Sequence, residues 1–171
     1  MKLDNLEIRS IRKSDSPKAF LDFICELIDE KAYLQIDEKP TLKWEREWLK
    51  KTNKEIKNRE SIRFCAWEGK KLVAMVQAKR GLWNERDNIC IGISVLKAYR
   101  GKGLGEKLLR MIIKLAKTKL KPKNIFLSVV IINKPAFSLY KKVGFKTFAR
   151  FPKWAKRDNK YIDVLYMLLK K

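Results

Sequence analysis

Arg100-Gly101-Lys102-Gly103-Leu104-Gly105 is the stretch on which the reading of this chain turns. It follows the apolar run Ile89–Leu96 and opens an amphipathic segment, Glu106–Lys117. Glycines at 101, 103 and 105 leave the backbone uncluttered, so successive N–H groups can turn toward one small anion. A helix starting there adds unpaired amides and the positive end of its dipole. Arg100 and Lys102 supply formal charge. The stretch predicts a diphosphate cradle between a strand and a helix.

Two familiar nucleotide sites fail on spacing. A P-loop needs G-x-x-x-x-G-K-[ST], which does not occur here. A dinucleotide fingerprint, G-x-G-x-x-G, started at Gly101 falls on Glu106 at its third glycine. The acidic residue such a site wants some 20 positions on is replaced by Pro122, Lys123 and Asn124. An idle glycine turn is disfavoured too, because three glycines at a helix start cost stability unless something uses the bare backbone.

Outward from the glycines, Leu104, Leu108, Met111, Ile112 and Leu115 form one helical face, which Lys121-Pro122-Lys123 ends. The run Ile125–Ile131, with Ser128 its only hydroxyl, predicts a strand buried on both faces. Asn133 caps a further helix, with Pro135 in its first turn and Gly144 as its stop. Phe145–Phe151 and Tyr161–Leu169 read as a final hairpin across a basic loop, Lys153–Lys160. Upstream, Leu6–Arg12 alternates as a half-buried strand, and Ser14-Asp15-Ser16-Pro17 starts a helix striped by Phe20, Phe23, Ile24, Leu27 and Ile28. A second helix begins at Thr41, and Arg63–Trp67 and Leu72–Ala78 are strands of a hairpin. The order β-α-α-β-β-β-α-β-α-β-β makes a mixed α/β sheet with helices on both faces. The unit across residues 89–131 is a right-handed parallel crossover.

Composition narrows the class. A chain of 171 residues suits one domain, 1–171, with a proper core. Met1-Lys2-Leu3-Asp4-Asn5 lacks a signal-peptide core and no apolar run is long enough for a membrane span, so a cytoplasmic protein without membrane contact is expected. Against 19 acidic residues stand 41 basic ones, a net charge of +22 that attracts polyanions, nucleic acid among them. A lysine-rich, charged surface is the plainer account of the same number. Cys25, Cys65 and Cys90 sit in separate apolar runs and read as small buried hydrophobes. The chain has no histidine, so imidazole bases, Cys-His nucleophiles and His-ligated zinc are excluded, and no metal is expected.

Two spaced signatures carry a resemblance. Arg100–Gly105 matches [R/Q]-x-x-G-x-[G/A], and Asn133–Phe145 matches N-x-x-A-x-x-L-Y-x-x-x-G-F. Residues 93–145 therefore resemble the acetyl-CoA-binding half of the GNAT superfamily of N-acetyltransferases, including its ribosomal-protein members. The first 60 residues carry no diagnostic motif. The resemblance implies a single domain whose mostly antiparallel sheet contains a splayed parallel strand pair. It also implies acetyl-CoA as cofactor, leaving as coenzyme A. By the same resemblance, the backbone of Ile93, Ser94 and Val95 pairs with the pantetheine arm, and Arg100, Gly101, Lys102, Gly103, Leu104 and Gly105 hold the pyrophosphate. Asn133 contacts the pantetheine, and Tyr140 is the general acid to the leaving thiolate. A phenol of pKa about 10 protonates a thiolate of pKa about 8.5 at an uphill cost of about 2 kcal/mol.

The departure is the base. Ribosomal-protein acetyltransferases carry a catalytic glutamate where this chain has Ser128, and relatives place another on the strand that is bare here from Ile89 to Val95. Glu85 and Asp87, just before that strand, are the nearest acids. Neutralising a lysine amine at pH 7 costs about 4.6 kcal/mol, an α-amine only about 1.4 kcal/mol. The expected acceptor is a primary amine, foremost of a protein, whether lysine or N-terminus. A small amine or polyamine is the alternative, drawn by the acidic patch Glu26, Asp29, Glu30, Asp37 and Glu38. From another class, a nucleic-acid-binding module with a vestigial cofactor site would use the cation–aromatic run Lys153-Trp154-Ala155-Lys156-Arg157. The sequence admits a monomer or a homodimer.

Overall fold

The computed structural model describes residues 5–170; Met1–Asp4, part of the segment read above for a signal peptide, and Lys171 lie outside them. The chain runs β1 (Glu7–Ser10), α1 (Pro17–Asp29), α2 (Leu42–Lys57), β2 (Ser61–Glu68), β3 (Lys71–Arg80) and β4 (Asn88–Val95). It continues through α3 (Leu104–Leu115), β5 (Asn124–Val130), α4 (Lys134–Val143), β6 (Phe145–Arg157) and β7 (Lys160–Leu169). The seven strands form one sheet in the order β1-β2-β3-β4-β5-β7-β6. Its only parallel neighbours are β4 and β5, as the crossover required.

Strand alternation assigns each side chain to a face. One face carries Ile89 and Ile91 of β4 with Ile125, Leu127 and Val129 of β5, all buried, as are Leu104, Leu108, Leu109 and Ile112 of α3, which packs on β2, β3 and β4. The opposite face of β1–β3 is covered by α1 and α2. Phe20 meets Trp48 and Trp67 at ring-centroid distances of 5.7 and 5.8 Å. Glu55 of α2 accepts hydrogen bonds from Arg63 Nη2 (2.9 Å) on β2 and Lys79 Nζ (2.8 Å) on β3, clamping the helix down. Burial pushes the Glu55 carboxyl up, and the Lys79 and Arg63 hydrogen bonds outweigh it and hold the group below the usual range.

Four local expectations change. Strand β5 is buried on one face only: Phe126, Ser128 and Val130 remain half-buried. Its apolar run was misleading because α4 lies beside α3 on the same side, leaving no helix for the other. The basic segment after Phe151 is strand rather than loop, and the turn is the pair Asp158-Asn159, with φ of 46° and 59°. Two consecutive left-handed residues make the tight turn that suits twisted antiparallel strands. Ser16 makes no side-chain cap at α1; instead the Asp15 carboxylate accepts from Arg9 (2.7 and 3.0 Å) and from the Arg12 N–H (2.8 Å). Of the cysteines only Cys65 is buried, while Cys90 is exposed on the face that α1 and α2 leave open.

Candidate active site

The site begins where β4 and β5 part. Their ladder holds only from Asn88↔Asn124 to Cys90↔Phe126. Beyond it β4 stays on β3 as far as Ala74↔Val95, while β5 follows β7. The N–H of Leu96 donates to Val73 O, and the N–H of Gly81 donates to Asn88 O. Alternation then turns the backbone of Cys90, Gly92 and Ser94 toward β3, and that of Ile91, Ile93 and Val95 toward the opening. Of the expected pantetheine contacts, Ile93 and Val95 face the gap. Ser94 does not, and Ile91, which motif matching did not flag, does.

The loop after β4 presents an open nest of backbone amides. Gly101 and Gly103 adopt φ of 73° and 84°, a region only glycine enters freely, and a Cβ on either would meet nothing within 4 Å. Backbone N–H groups of residues 101–106 donate to no carbonyl among the described residues, and they gather at the positive end of α3. An open, unpartnered nest of amides fits a diphosphate. Leu104 contributes only its N–H, since its side chain is buried in the core. Gly105 serves packing: a Cβ there would lie 3.1 Å from Leu139 Cδ2, so the missing side chain lets α3 and α4 touch. Glu106 fastens the same contact by pairing with Arg110 (2.9 Å) and with Lys142 of α4 (2.6 Å).

The charged side chains of the loop brace it. Arg100 donates through Nε to Val95 O (2.7 Å) and through Nη2 to Glu30 (2.6 Å) just past α1. Glu30 also accepts from the Lys97 N–H at 2.8 Å. Lys102 folds back onto Ala98 O (2.5 Å), its ammonium 6.0 Å from the Tyr99 ring centre. Glu30, one of the acids of the patch expected to draw an amine, braces this loop instead. Glu26 pairs with Lys71 (2.9 Å) and Asp29 with Lys39 (2.6 Å), so the patch is largely spent on internal pairs. No sequence signal marked those partners, which come from distant elements.

Helix α4 places the second signature. Asn133 accepts from the Ala136 N–H at 3.3 Å through Oδ1, which leaves its amide NH2 free. Tyr140 is buried, with its ring edge-on to Phe145 at 6.2 Å. Burial, with the nearby Cys90 adding to it, pushes the phenol up to about 12. It stays a neutral hydrogen-bond donor throughout the physiological pH range.

On the open face, the gap is flanked by Met75 and Gln77 of β3, Cys90, Gly92 and Ser94 of β4, and Phe126 and Ser128 of β5. None is a carboxylate. Glu85 and Asp87 cannot serve from where they stand: they precede β4 at its paired end, and Asp87 is ~16 Å along the strand from Gly92. Tyr166 of β7 stacks on Phe126 at 6.3 Å and touches Phe151 at 5.0 Å, extending an aromatic floor away from the gap.

A single mixed sheet, a parallel pair that opens midway and a glycine nest at the next helix together define an acyl-coenzyme-A-binding fold. The GNAT acetyltransferase family model matches residues 22–145, and the chain belongs to that family. Acetyl-CoA is the family's acetyl donor, and structures of this fold hold acetyl-CoA or coenzyme A. The chain is similar to an L-amino acid N-acetyltransferase of Escherichia coli, 34% identical over 76 residues, which are 44% of this chain and 47% of that one. It is similar also to an N-alpha-acetyltransferase of Sulfurisphaera tokodaii, 41% identical over 56 residues, 33% of this chain and 34% of the other. These matches thus span less than half the length of either curated relative. Among solved structures, a GNAT-family acetyltransferase from Streptococcus pneumoniae superposes with a TM-score of 0.84 at 24% identity, covering 95% of this chain and 98% of that one. No described helix is long and apolar enough to cross a membrane.

Proposed function

We propose that this chain transfers acetyl groups from acetyl-CoA to α-amines, foremost the N-terminal amine of a protein. The observation that carries the reading is that none of the described strand side chains flanking the gap on its open face is a carboxylate, while Glu30, beyond its Val95 end, is held by Arg100 and the Lys97 N–H. An α-amine reaches its neutral form at pH 7 for about 1.4 kcal/mol and needs little help, whereas a lysine needs about 4.6 kcal/mol and a dedicated base. The two relatives are named for activity on L-amino acids and on N-alpha amines, which agrees with that choice.

When bound, acetyl-CoA supplies the activated acetyl group: the amine nitrogen bonds to the carbonyl carbon, the carbon–sulfur bond breaks, and its electron pair goes to sulfur. In this reading Ile91 and Ile93 offer backbone groups and Val95 its N–H to the pantetheine arm, the amides of residues 101–106 take the diphosphate, and the Asn133 NH2 donates to the pantetheine. Arg100 and Lys102 shape the loop rather than bind. Tyr140 donates a hydrogen bond to sulfur as negative charge builds there. With its phenol at about 12, full transfer of that proton to a thiolate whose thiol has a pKa of about 8.5 costs about 5 kcal/mol, and the step closes when the phenolate takes up the proton the amine releases. The uncovered sheet face beside the gap has room for a polypeptide terminus, which favours a protein over a free amino acid. An amino-acid acceptor is the second reading, favoured by the Escherichia coli relative.

The test is acetyl-CoA-dependent labelling of a panel: free L-amino acids, peptides with a free N-terminus, N-terminally blocked peptides carrying lysine, and spermidine. Labelling of free-N-terminus peptides is expected. Labelling of blocked lysine peptides or spermidine alone would refute the α-amine reading.

A further inference from the structure

We infer that Gln77 is a catalytic residue, its side-chain NH2 donating a hydrogen bond to the thioester carbonyl oxygen as negative charge develops there. This rests on the reading of the gap as an acetyl-transfer site.

Three observations meet at this side chain. First, Gln77 and Gly92 are register partners, and their backbone turns them toward each other. Side chains of such a pair share a face, here the open one, and Gly92 lies two residues beyond Cys90, where the β4–β5 ladder ends. Second, the amide lies in the space a Gly92 side chain would fill. A Cβ on Gly92 would stand 3.0 Å from Gln77 Nε2, 3.3 Å from Cγ and 3.6 Å from Cδ. Gly92 has an ordinary φ, so what its missing side chain provides is room for this amide at the mouth of the gap. Third, Gln77 Oε1 is buried with no hydrogen-bond partner among the described residues. Arg63, the register partner of Gln77 on β2, is a buried cation whose Nε also lacks a partner. Nε2, rather than Oε1, is the end of the amide that lies over Gly92, so the NH2 stands on the gap side.

An amide held with its oxygen buried and unpartnered is costly to a fold and useful as an oriented donor. A neutral NH2 cannot take a proton from the amine, so Gln77 does not replace the missing base. What it supplies is a fixed dipole where the reaction creates charge, in a partly dry site where such a donor acts most strongly. It complements Tyr140, which serves sulfur.

Gln77→Met keeps length and removes both polar ends. A purely structural glutamine would leave the chemistry untouched. Here the variant is expected to melt no lower than the parent, since a buried unpartnered oxygen is lost. Its kcat is expected to fall on the order of 100-fold with unchanged acetyl-CoA affinity. The direct readout is infrared: the carbonyl stretch of isotope-labelled acetyl-CoA bound to the parent is expected at lower frequency than when bound to Gln77→Met. Gln77→Glu sets a carboxylate against the developing charge and is expected to be slower still. Gly92→Ala is expected to lower kcat in the parent by displacing the amide, and to cost nothing further in a Gln77→Met background. An unchanged carbonyl stretch, or Gln77→Glu faster than Gln77→Met, would overturn the inference while leaving the enzyme reading intact. Failure of the parent to bind acetyl-CoA in calorimetry would overturn both together.

Discussion

Glu45 makes a pH-dependent flaw in the α1–α2 layer, and replacing it stabilises the protein by an amount that grows with pH. It points inward from the first turn of α2, is 3% exposed, and has neither an ion pair nor a side-chain hydrogen bond among the described residues. Burial alone pushes its carboxyl from 4.5 up to about 7. A raised carboxyl binds its proton more tightly in the folded state, so the sign is opposite to that of a salt-bridged acid. Below pH 4.5 both states are protonated and nothing is lost; between 4.5 and 7 the folded state loses stability as pH rises; above 7 the loss is constant. A shift from 4.5 to about 7 caps that loss at about 3.4 kcal/mol, which water reaching the carboxylate edge would reduce. Glu45→Gln keeps the shape and removes the titration. Urea melts of both proteins across pH 5 to 8.5 should show the advantage of the variant widening by about 2 kcal/mol between pH 5 and 7, then levelling. Glu47→Gln, two residues away and exposed, is the control and should show no such widening. A constant difference for Glu45→Gln, or one that shrinks as pH rises, refutes the reasoning.

Gly103→Ala forces an L-residue to φ near 84° and should lower stability by about 1–2 kcal/mol while weakening acetyl-CoA binding; melting curves and calorimetry on one preparation read both. Glu30→Gln removes the negative charge that holds Arg100 and the Lys97 N–H, and should raise the acetyl-CoA Kd several-fold with little change in Tm. Tyr140→Phe should cut kcat ~10- to 100-fold, and in the parent no activity limb from Tyr140 should appear below pH 10, because its phenol lies at about 12. Glu55→Ala strands the buried Arg63 guanidinium without its partner and should cost ~3–5 kcal/mol in a denaturant melt, more than any exposed pair in the molecule.

Local chemistry made much of this protein legible in its sequence. A left-handed φ favours glycine, so Gly101, Gly103 and Gly144 marked their turns. Asn133 with Pro135 marked a helix start, and apolar periodicity marked which helical stripes go inward. Two signatures at the right spacing then led to a coenzyme A site and its family. Periodicity could not say how many sides of β5 are covered, because that depends on where α4 packs, and Gly105 and Leu139 decide it by letting α4 lie against α3. The use of charge was equally hidden: Glu30 reads as one more acid in a patch until the fold brings Arg100 to it from 70 residues away.

The Arg100–Gly105 loop shows the same division. Its amides, turned by two glycines, are written in consecutive residues, and the sequence by itself determined that a nest suited to an anion forms there. Tertiary structure decided what lines the gap. Gln77 on β3 and Gly92 on β4 meet only through strand pairing, the ladder of β4 and β5 breaks two residues earlier, and α1 and α2 stop short of the open face. Those are contacts between residues far apart in the chain, set by register and packing, which no local pattern encodes.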